Sequence, residues 1–431
     1  MSLATAEPVI EKRSHAPGDD APRRAEVDAP VAAGVRLPHV LVDARFKAQQ
    51  RGGDRCRFEL ARNLCNNETD SAGYTFLAFD DTAQALRDRA PAARTVTTNL
   101  HPHEHPRGDW FEHFGLPKLS RGLGADIYHG TFNVVPWRRP APLVVLTVHD
   151  MAVFAHPGAY SRKFAAYGRV VSRMGIRKAD RIITVSDATA RELIKYVPEG
   201  AGKIITIHNG VGEEFLRAAE FPPERVEQTI RRLNIPAPYV LFVGNLERKK
   251  NLPNLIEAFR RLRAGTCLKH SLVIVGEKLA KGPDVGLNAT ESELADAGVH
   301  FTGYIEDADL PVLYRGADLA AYPSIYEGFG MPVLEGMAAG VPVLTSNVSS
   351  LPEVAGGAAM LVDPYDVEDM AAGLHRALTD KDWRRQAVAT GAERAAALSW
   401  AQNARRTARV YQELWEEAIS KGRITERGKR S

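Results

Sequence analysis

Cysteine is scarce in this chain: Cys56, Cys65 and Cys267 are the three among 431 residues. An odd, widely spread set supplies neither a disulfide framework nor a zinc-ligand spacing. It fits buried small hydrophobes in a reducing compartment. Long apolar runs are missing too, none approaching the roughly 18 residues of a membrane-spanning helix. The N-terminal residues are polar and rich in Pro and Ala, unlike the apolar core of a secretory leader, so a cytoplasmic protein is expected. Neither sign of charge is in excess: 56 Lys and Arg against 53 Asp and Glu leave a formal +3. That balance gives no argument for nucleic acid as a partner. Two phosphate-binding fingerprints are also absent. No G-x-x-x-x-G-K-[ST] occurs, and Gly122-Leu123-Gly124 precedes a strand instead of following one, the wrong context for a dinucleotide site.

What is present is a long α/β pattern. The length exceeds one ordinary core, and 44% apolar with 25% charged residues suits a globular protein of two domains. Residues 1–36, with few large apolar side chains, cannot offset their ordering entropy and are expected to be disordered. Order begins at the strand His39–Asp43, followed by Gly52 and Gly53 in a flexible loop and a helix carrying Phe58, Leu60, Ala61 and Leu64. That unit opens a doubly wound fold. Continuous apolar strands at 75–79, 127–129, 143–148, 181–186 and 203–211 fit a parallel sheet covered on both faces. These make a first domain over 37–220. Phe221-Pro222-Pro223 starts a linker. A second domain over 236–401 opens on the strand Tyr239–Gly244, with further strands at 271–277, 300–305, 342–346 and 360–364. Residues 422–431 form a short basic tail.

The most informative stretch is Ser324–Pro342. Gly328 and Gly330 let the backbone approach a ligand closely. Pro332 suits a first helical turn, and Leu334, Met337 and Ala338 continue a helix that Gly340 and Pro342 end. The helix start near Met331 aims N–H groups and partial positive charge at the loop, a ready phosphate site. Glu327 stands before the helix and Glu335 on it. This pattern resembles the E-x7-E motif of retaining GT-B glycosyltransferases of family 4. The resemblance extends over residues 39–421 and is most specific at 243–251 and 324–342. It implies two Rossmann-like domains facing each other across a cleft, with a final helix near 402–421 packing back on the first domain.

The resemblance also implies roles. Glu327 would contact the transferred sugar and Glu335 the nucleotide ribose, with Gly328, Phe329, Gly330 and Met331 beside the donor. Gly244 and the turn Asn245–Leu252 resemble an element whose basic pair holds the diphosphate; Lys250 aligns best and Lys249 next, while Arg248 is open. Some members carry Arg where Asn245 stands. Gly303, Tyr304 and Ile305 would lie against the nucleobase. His149, at a strand end before Asp150, would face the donor sugar, and Gly52 and Gly53 would approach the phosphates. The implied reaction moves a hexosyl group, mannosyl first, from a nucleoside diphosphate sugar to a saccharide or lipid-linked acceptor, without a cofactor or divalent metal. Glucosyl and rhamnosyl donors remain alternatives, as do a glycosidase and a non-catalytic nucleotide-sugar-binding protein.

Three further features have competing readings. Asp307-x-Asp309 precedes a helix and reads better as a cap than as a metal motif, and Asp187 is a second cap candidate. His101, His103 and His105 alternate as metal ligands could, within a Pro-flanked loop. Residues 160–178 combine Arg162, Lys163, Arg169, Arg173, Arg177 and Lys178 with Phe164, Tyr167, Val170, Val171 and Met174 at helical spacing. Such a helix either faces the core or rests on an anionic membrane surface.

Overall fold

The computed structural model describes residues 31–32, 35–46, 53–66, 72–101, 106–277 and 290–424. Gly52, His103 and His105 lie outside them, as does most of the segment 1–36. The last residues of that segment pair Val31–Ala32 with Val35–Arg36, and Arg36 reaches Asp126 at 2.9 Å.

The first domain holds strands β1 (His39–Ala44), β2 (Gly73–Ala78), β3 (Thr95–Thr97), β4 (Ile127–Gly130), β5 (Leu143–Val148), β6 (Arg181–Thr184) and β7 (Ile204–Thr206). They form one parallel sheet in the order β3-β2-β1-β4-β5-β6-β7. Every residue of β5 is buried, as a strand covered on both faces requires. Helices α1 (Gly53–Asn66), α2 (Arg162–Lys178) and α3 (Asp187–Tyr196) belong to this domain. The edge strand β3 was not anticipated, because three residues are too few to show a period.

The second domain holds β8 (Tyr239–Val243), β9 (Ser271–Val275), β10 (Val299–Gly303), β11 (Leu319–Tyr322), β12 (Val343–Ser346) and β13 (Ala359–Val362). Its parallel order is β10-β9-β8-β11-β12-β13. Helices α4 (Leu252–Gly265), α5 (Leu310–Gly316) and α6 (Met331–Ala338) matter most here. In each sheet the order reverses once, between β1 and β4 and between β8 and β11. Open α/β sheets bind ligands at the strands' carboxyl ends beside such a switch.

The last helix, α7 (Trp400–Ser420), crosses back, two residues ahead of its expected start. Trp400, Tyr411, Leu414 and Trp415 are buried in the first domain's core with Val40, Phe58 and Ile127. Tyr411 Oη lies 2.6 Å from His129 Nδ1, and Thr147 Oγ1 lies 2.7 Å from the other ring nitrogen. This dry setting pushes His129 down to about 3.

Two cap assignments need correction. Ser186, not Asp187, caps α3, its hydroxyl accepting from Thr189 N at 3.0 Å. Asp309 occupies the cap position of α5 but makes no capping bond; its carboxylate pairs with Arg232 at 2.5 Å. A long-range cation outcompetes the local backbone here. Helix α2 buries Ala165, Val171, Ser172, Gly175 and Ile176, whereas Phe164 and Val170 are 49% and 57% exposed. The larger apolar residues of that helix are therefore not all directed at the core.

Candidate active site

The cleft between the two carboxyl edges encloses about 400 Å³. The loop after β8 brings Lys249 and Lys250, and the loop after β11 brings Glu327. Asn251 laces the two loops together. It adopts the left-handed conformation (φ 61°) that starts α4, and its amide donates to the carbonyls of Pro323 (3.1 Å) and Pro364 (2.6 Å). Ile325 N donates to Lys249 O at 2.8 Å. The Glu327 carbonyl is held by the hydroxyls of Ser349 and Ser350 at 2.6 and 2.9 Å.

Lys250 Nζ lies 2.6 Å from Glu327 Oε1, and Tyr322 Oη donates to the same oxygen at 2.8 Å. Burial alone would raise the Glu327 carboxyl, but Lys250 and Lys249 together hold it below the ordinary carboxylate range. Glu327 is therefore ionised beside two ammonium groups. Helix α6 begins at Met331 immediately after Gly330, whose φ of 105° suits glycine. Its free N–H groups add positive potential to the same corner.

Glu335, one turn into α6, faces the other end of the cleft. Burial raises its carboxyl, opposed chiefly by Arg55 and then by the hydroxyl of Tyr314, which donates to Oε2 at 3.2 Å. From the first domain, His149 closes the opposite wall. Asn133 fixes it from both sides, accepting from His149 N at 2.8 Å and donating to Asp150 O at 3.0 Å. His149 Nε2 donates to the Thr131 carbonyl at 2.9 Å. Burial and then Arg57 push His149 down to about 4. The ring is neutral near pH 7, and Nδ1 is its unprotonated nitrogen.

Of the expected site residues, His149, Gly244, Lys249, Lys250, Tyr304, Ile305, Glu327, Gly328, Phe329, Gly330, Met331 and Glu335 all line this cleft. Arg248 is exposed and outside it, while Asn245 lines it. Gly303 does not; its φ of 69° ends β10 and turns Tyr304 toward the cleft. Gly53 begins α1, and Gly52 lies outside the described residues. His101 stacks on Phe79 at 3.9 Å, and the described residues contain no group of three or more His, Cys, Asp or Glu suited to a metal ion. Arg55, Phe132, Asp150, Asn209 and Tyr322 also line the cleft. Asp150 adjoins the expected His149, whereas Arg55, Phe132 and Tyr322 are brought in by the three-dimensional arrangement.

Two doubly wound domains sharing a ligand cleft at their carboxyl edges define the GT-B class. Solved structures agree. A glycosyltransferase from Rickettsia africae aligns at TM-score 0.67 and 17% identity, covering 88% of this chain and 99% of that one. A sucrose-phosphate synthase from Thermosynechococcus elongatus aligns at 0.66 and 24%, covering 89% and 100%. The sequence matches the family models "Glycosyltransferase Family 4" over residues 52–215 and "Glycosyl transferases group 1" over residues 226–394. It is 32% identical over 289 residues to O-antigen chain mannosyltransferase B of Escherichia coli, covering 67% of this chain and 74% of that protein. It is also 32% identical over 236 residues to D-inositol 3-phosphate glycosyltransferase of Thermobifida fusca, covering 52% of each. The chain belongs to glycosyltransferase family 4 and is a glycosyltransferase.

Proposed function

We propose that the protein transfers a hexosyl group, mannosyl in the first instance, from a nucleoside diphosphate sugar to an acceptor hydroxyl in glycan assembly, with retention at the anomeric carbon. The observation that carries this reading is the Lys250–Glu327 pair at 2.6 Å, with Lys249 and the start of α6 lining the same cleft. In the transfer, negative charge builds on the departing diphosphate while positive charge builds on the sugar. Lys249, Lys250 and the N–H groups near Met331 meet the first, as preorganised electrostatic stabilisation. Glu327 orients the sugar and opposes the second, and His149 Nδ1 accepts from a sugar hydroxyl. Glu335 takes the ribose hydroxyls. The leaving diphosphate receives the acceptor's proton. The mannosyl choice is supported by the 32% identity to the O-antigen mannosyltransferase.

A glycosidase would need a carboxylic acid kept protonated to donate to its leaving group. Glu335 is the raised carboxyl of this cleft and Glu327 the ionised one, but a glycosidase has no use for Lys249 and Lys250 beside them. The reading further places the protein at the inner face of the cell membrane, supported by Phe164 and Val170 exposed on α2 among its basic residues. Co-sedimentation with phosphatidylglycerol vesicles, and its loss in Phe164→Ser, is expected.

The decisive measurement is a thermal-shift screen against nucleotide sugars, since a ligand bound only by the folded state raises its stability. GDP-mannose is expected to give the largest shift, with UDP-glucose and dTDP-rhamnose as comparators. NMR of the product should then show the donor's anomeric configuration. Inverted product would overturn the retaining assignment, and no shift with any donor would overturn the whole reading.

A further inference from the structure

Arg55 is an N-terminal-domain side chain embedded in the C-terminal domain's half of the cleft. It stands in the first turn of α1, and its side chain is 13% exposed. Its Nη1 lies 3.5 Å from Glu335 Oε1, and its Nη2 is ion-paired with Glu214. Its guanidinium carbon sits 4.7 Å from the centroid of the Phe215 ring. Glu214 and Phe215 belong to the short helix Glu213–Ala218, and Phe215 is part of the C-terminal domain's core. The Phe215 ring meets Tyr314 edge-on at 5.7 Å, and Tyr314 is the residue that donates to Glu335 Oε2. The two oxygens of Glu335 are thus addressed from two sides, one by Tyr314 of its own domain and one by Arg55 of the other.

The geometry favours a shared carboxylate over a closed salt bridge. A contact of 3.5 Å is longer than a formed N–H···O bond, so Oε1 retains capacity to accept from an incoming hydroxyl. The surroundings are otherwise acidic. Asp307 also lines the cleft, and Arg55 feels Glu335, Glu214 and Asp307 together. Without the guanidinium, three carboxylates would surround the place where a nucleotide that is itself anionic has to dock.

We propose that Arg55 is a donor-positioning residue, which holds the Glu335 carboxylate in place for the ribose hydroxyls and fastens the first domain to the nucleoside end of the cleft. This rests on the reading of Glu335 as the ribose ligand. Arg55 touches neither the sugar nor the reacting atoms. Its effect falls on donor binding more than on turnover.

The test uses the full chain and calorimetric titration with GDP, UDP and ADP, keeping the tightest binder and its 2′,3′-dideoxy form. Arg55→Ala should weaken nucleotide binding and raise donor KM by about tenfold, the effect of removing the cation that faces the Glu335 carboxylate, with kcat changed less than about threefold. Arg55→Lys should recover part of the loss and guard against misfolding of the alanine variant. The acid limb of kcat/KM should move to higher pH in Arg55→Ala, because a carboxylate that loses its cation protonates more readily. A purely structural strut would not produce that shift. In a Glu335→Gln background, Arg55→Ala should cost much less than it does alone. If Glu335→Gln still discriminates against the dideoxy nucleotide as the parent does, the ribose reading fails and the proposal with it. If Glu335→Gln loses that discrimination but Arg55→Ala binds like the parent with an unmoved pH profile, the Arg55 assignment alone is overturned.

Discussion

Lys250 Nζ and Glu327 Oε1 stand 2.6 Å apart although 77 residues separate them in the chain. Each follows a strand beside the switch point of the second sheet, so the fold sets their separation. Lys250→Ala removes the cation that faces both Glu327 and the proposed diphosphate. The expected loss in kcat is about 10²–10³-fold, as for removal of one preorganised transition-state contact. Circular dichroism should show an intact fold. Full activity in Lys250→Ala would sink the assignment.

At Gly328 the two domains are in direct contact. A Cβ there would lie 1.8 Å from the His149 carbonyl oxygen. Its own carbonyl lies 2.6 Å from Ser186 Oγ and 3.1 Å from Thr189 Oγ1, both on the first domain. Gly328→Ala must therefore push the domains apart beside Glu327 and His149. Transfer should fall by about 10²-fold, because a displacement near 1 Å costs roughly that much. Unchanged steady-state rates would show that the domains work at a wider separation.

Glu353 caps a helix of the other domain. Its carboxylate accepts from Asp187 N (2.7 Å) and Ala188 N (3.0 Å) at the start of α3. It also accepts from His208 Nε2 at 2.7 Å. Glu353→Ala leaves those N–H groups without this partner and should cost about 2 kcal/mol of stability, within the range for hydrogen bonds to charged groups. Small-angle scattering should show a larger radius of gyration, and donor KM should rise. An unaltered scattering profile would mean that Glu353 does not hold the domains together.

His129 makes stability fall with acidity. Its ordinary value is 6.5, and burial lowers it to about 3 in the folded chain. Below about pH 6.5 the unfolded chain takes up a proton that the folded one refuses. Stability from this site is therefore complete above that pH and declines as pH falls toward 3, by up to about 5 kcal/mol. Urea titrations between pH 8 and 4 should show this decline, and His129→Gln should flatten it. Parallel pH curves for the two proteins would contradict it.

Transfer should persist in EDTA with less than a twofold loss. The lysines and the start of α6 already supply positive charge, and Asp309, half of the Asp307-x-Asp309 pair, has its carboxylate committed to Arg232. A large loss restored by Mg²⁺ or Mn²⁺ would refute metal independence.

The second domain was the more legible in sequence. Its donor elements are contiguous: a buried strand, a glycine and paired lysines in one run, then a glycine loop, two glutamates and a helix in another. Local pattern records such features because strand ends and helix starts occupy neighbouring residues. The first domain hid more. Asn133, which fixes His149 and Asp150, looks like any loop residue until β4 and β5 lie side by side. The cap candidates Asp187 and Asp309 followed local chemistry, while Ser186 and the distant Arg232 decided the outcome.

By itself the sequence determined two Rossmann-like domains, the Glu327–Glu335 spacing, the Lys249–Lys250 pair and the family. These are properties of strands, turns and helix starts, which depend on residues near in the chain. Tertiary structure alone decided that Lys250 meets Glu327 and that Arg55 reaches Glu335 across the cleft. Those contacts join residues far apart in sequence. They exist only once apolar burial has packed the sheets and α7 has crossed back over the first domain.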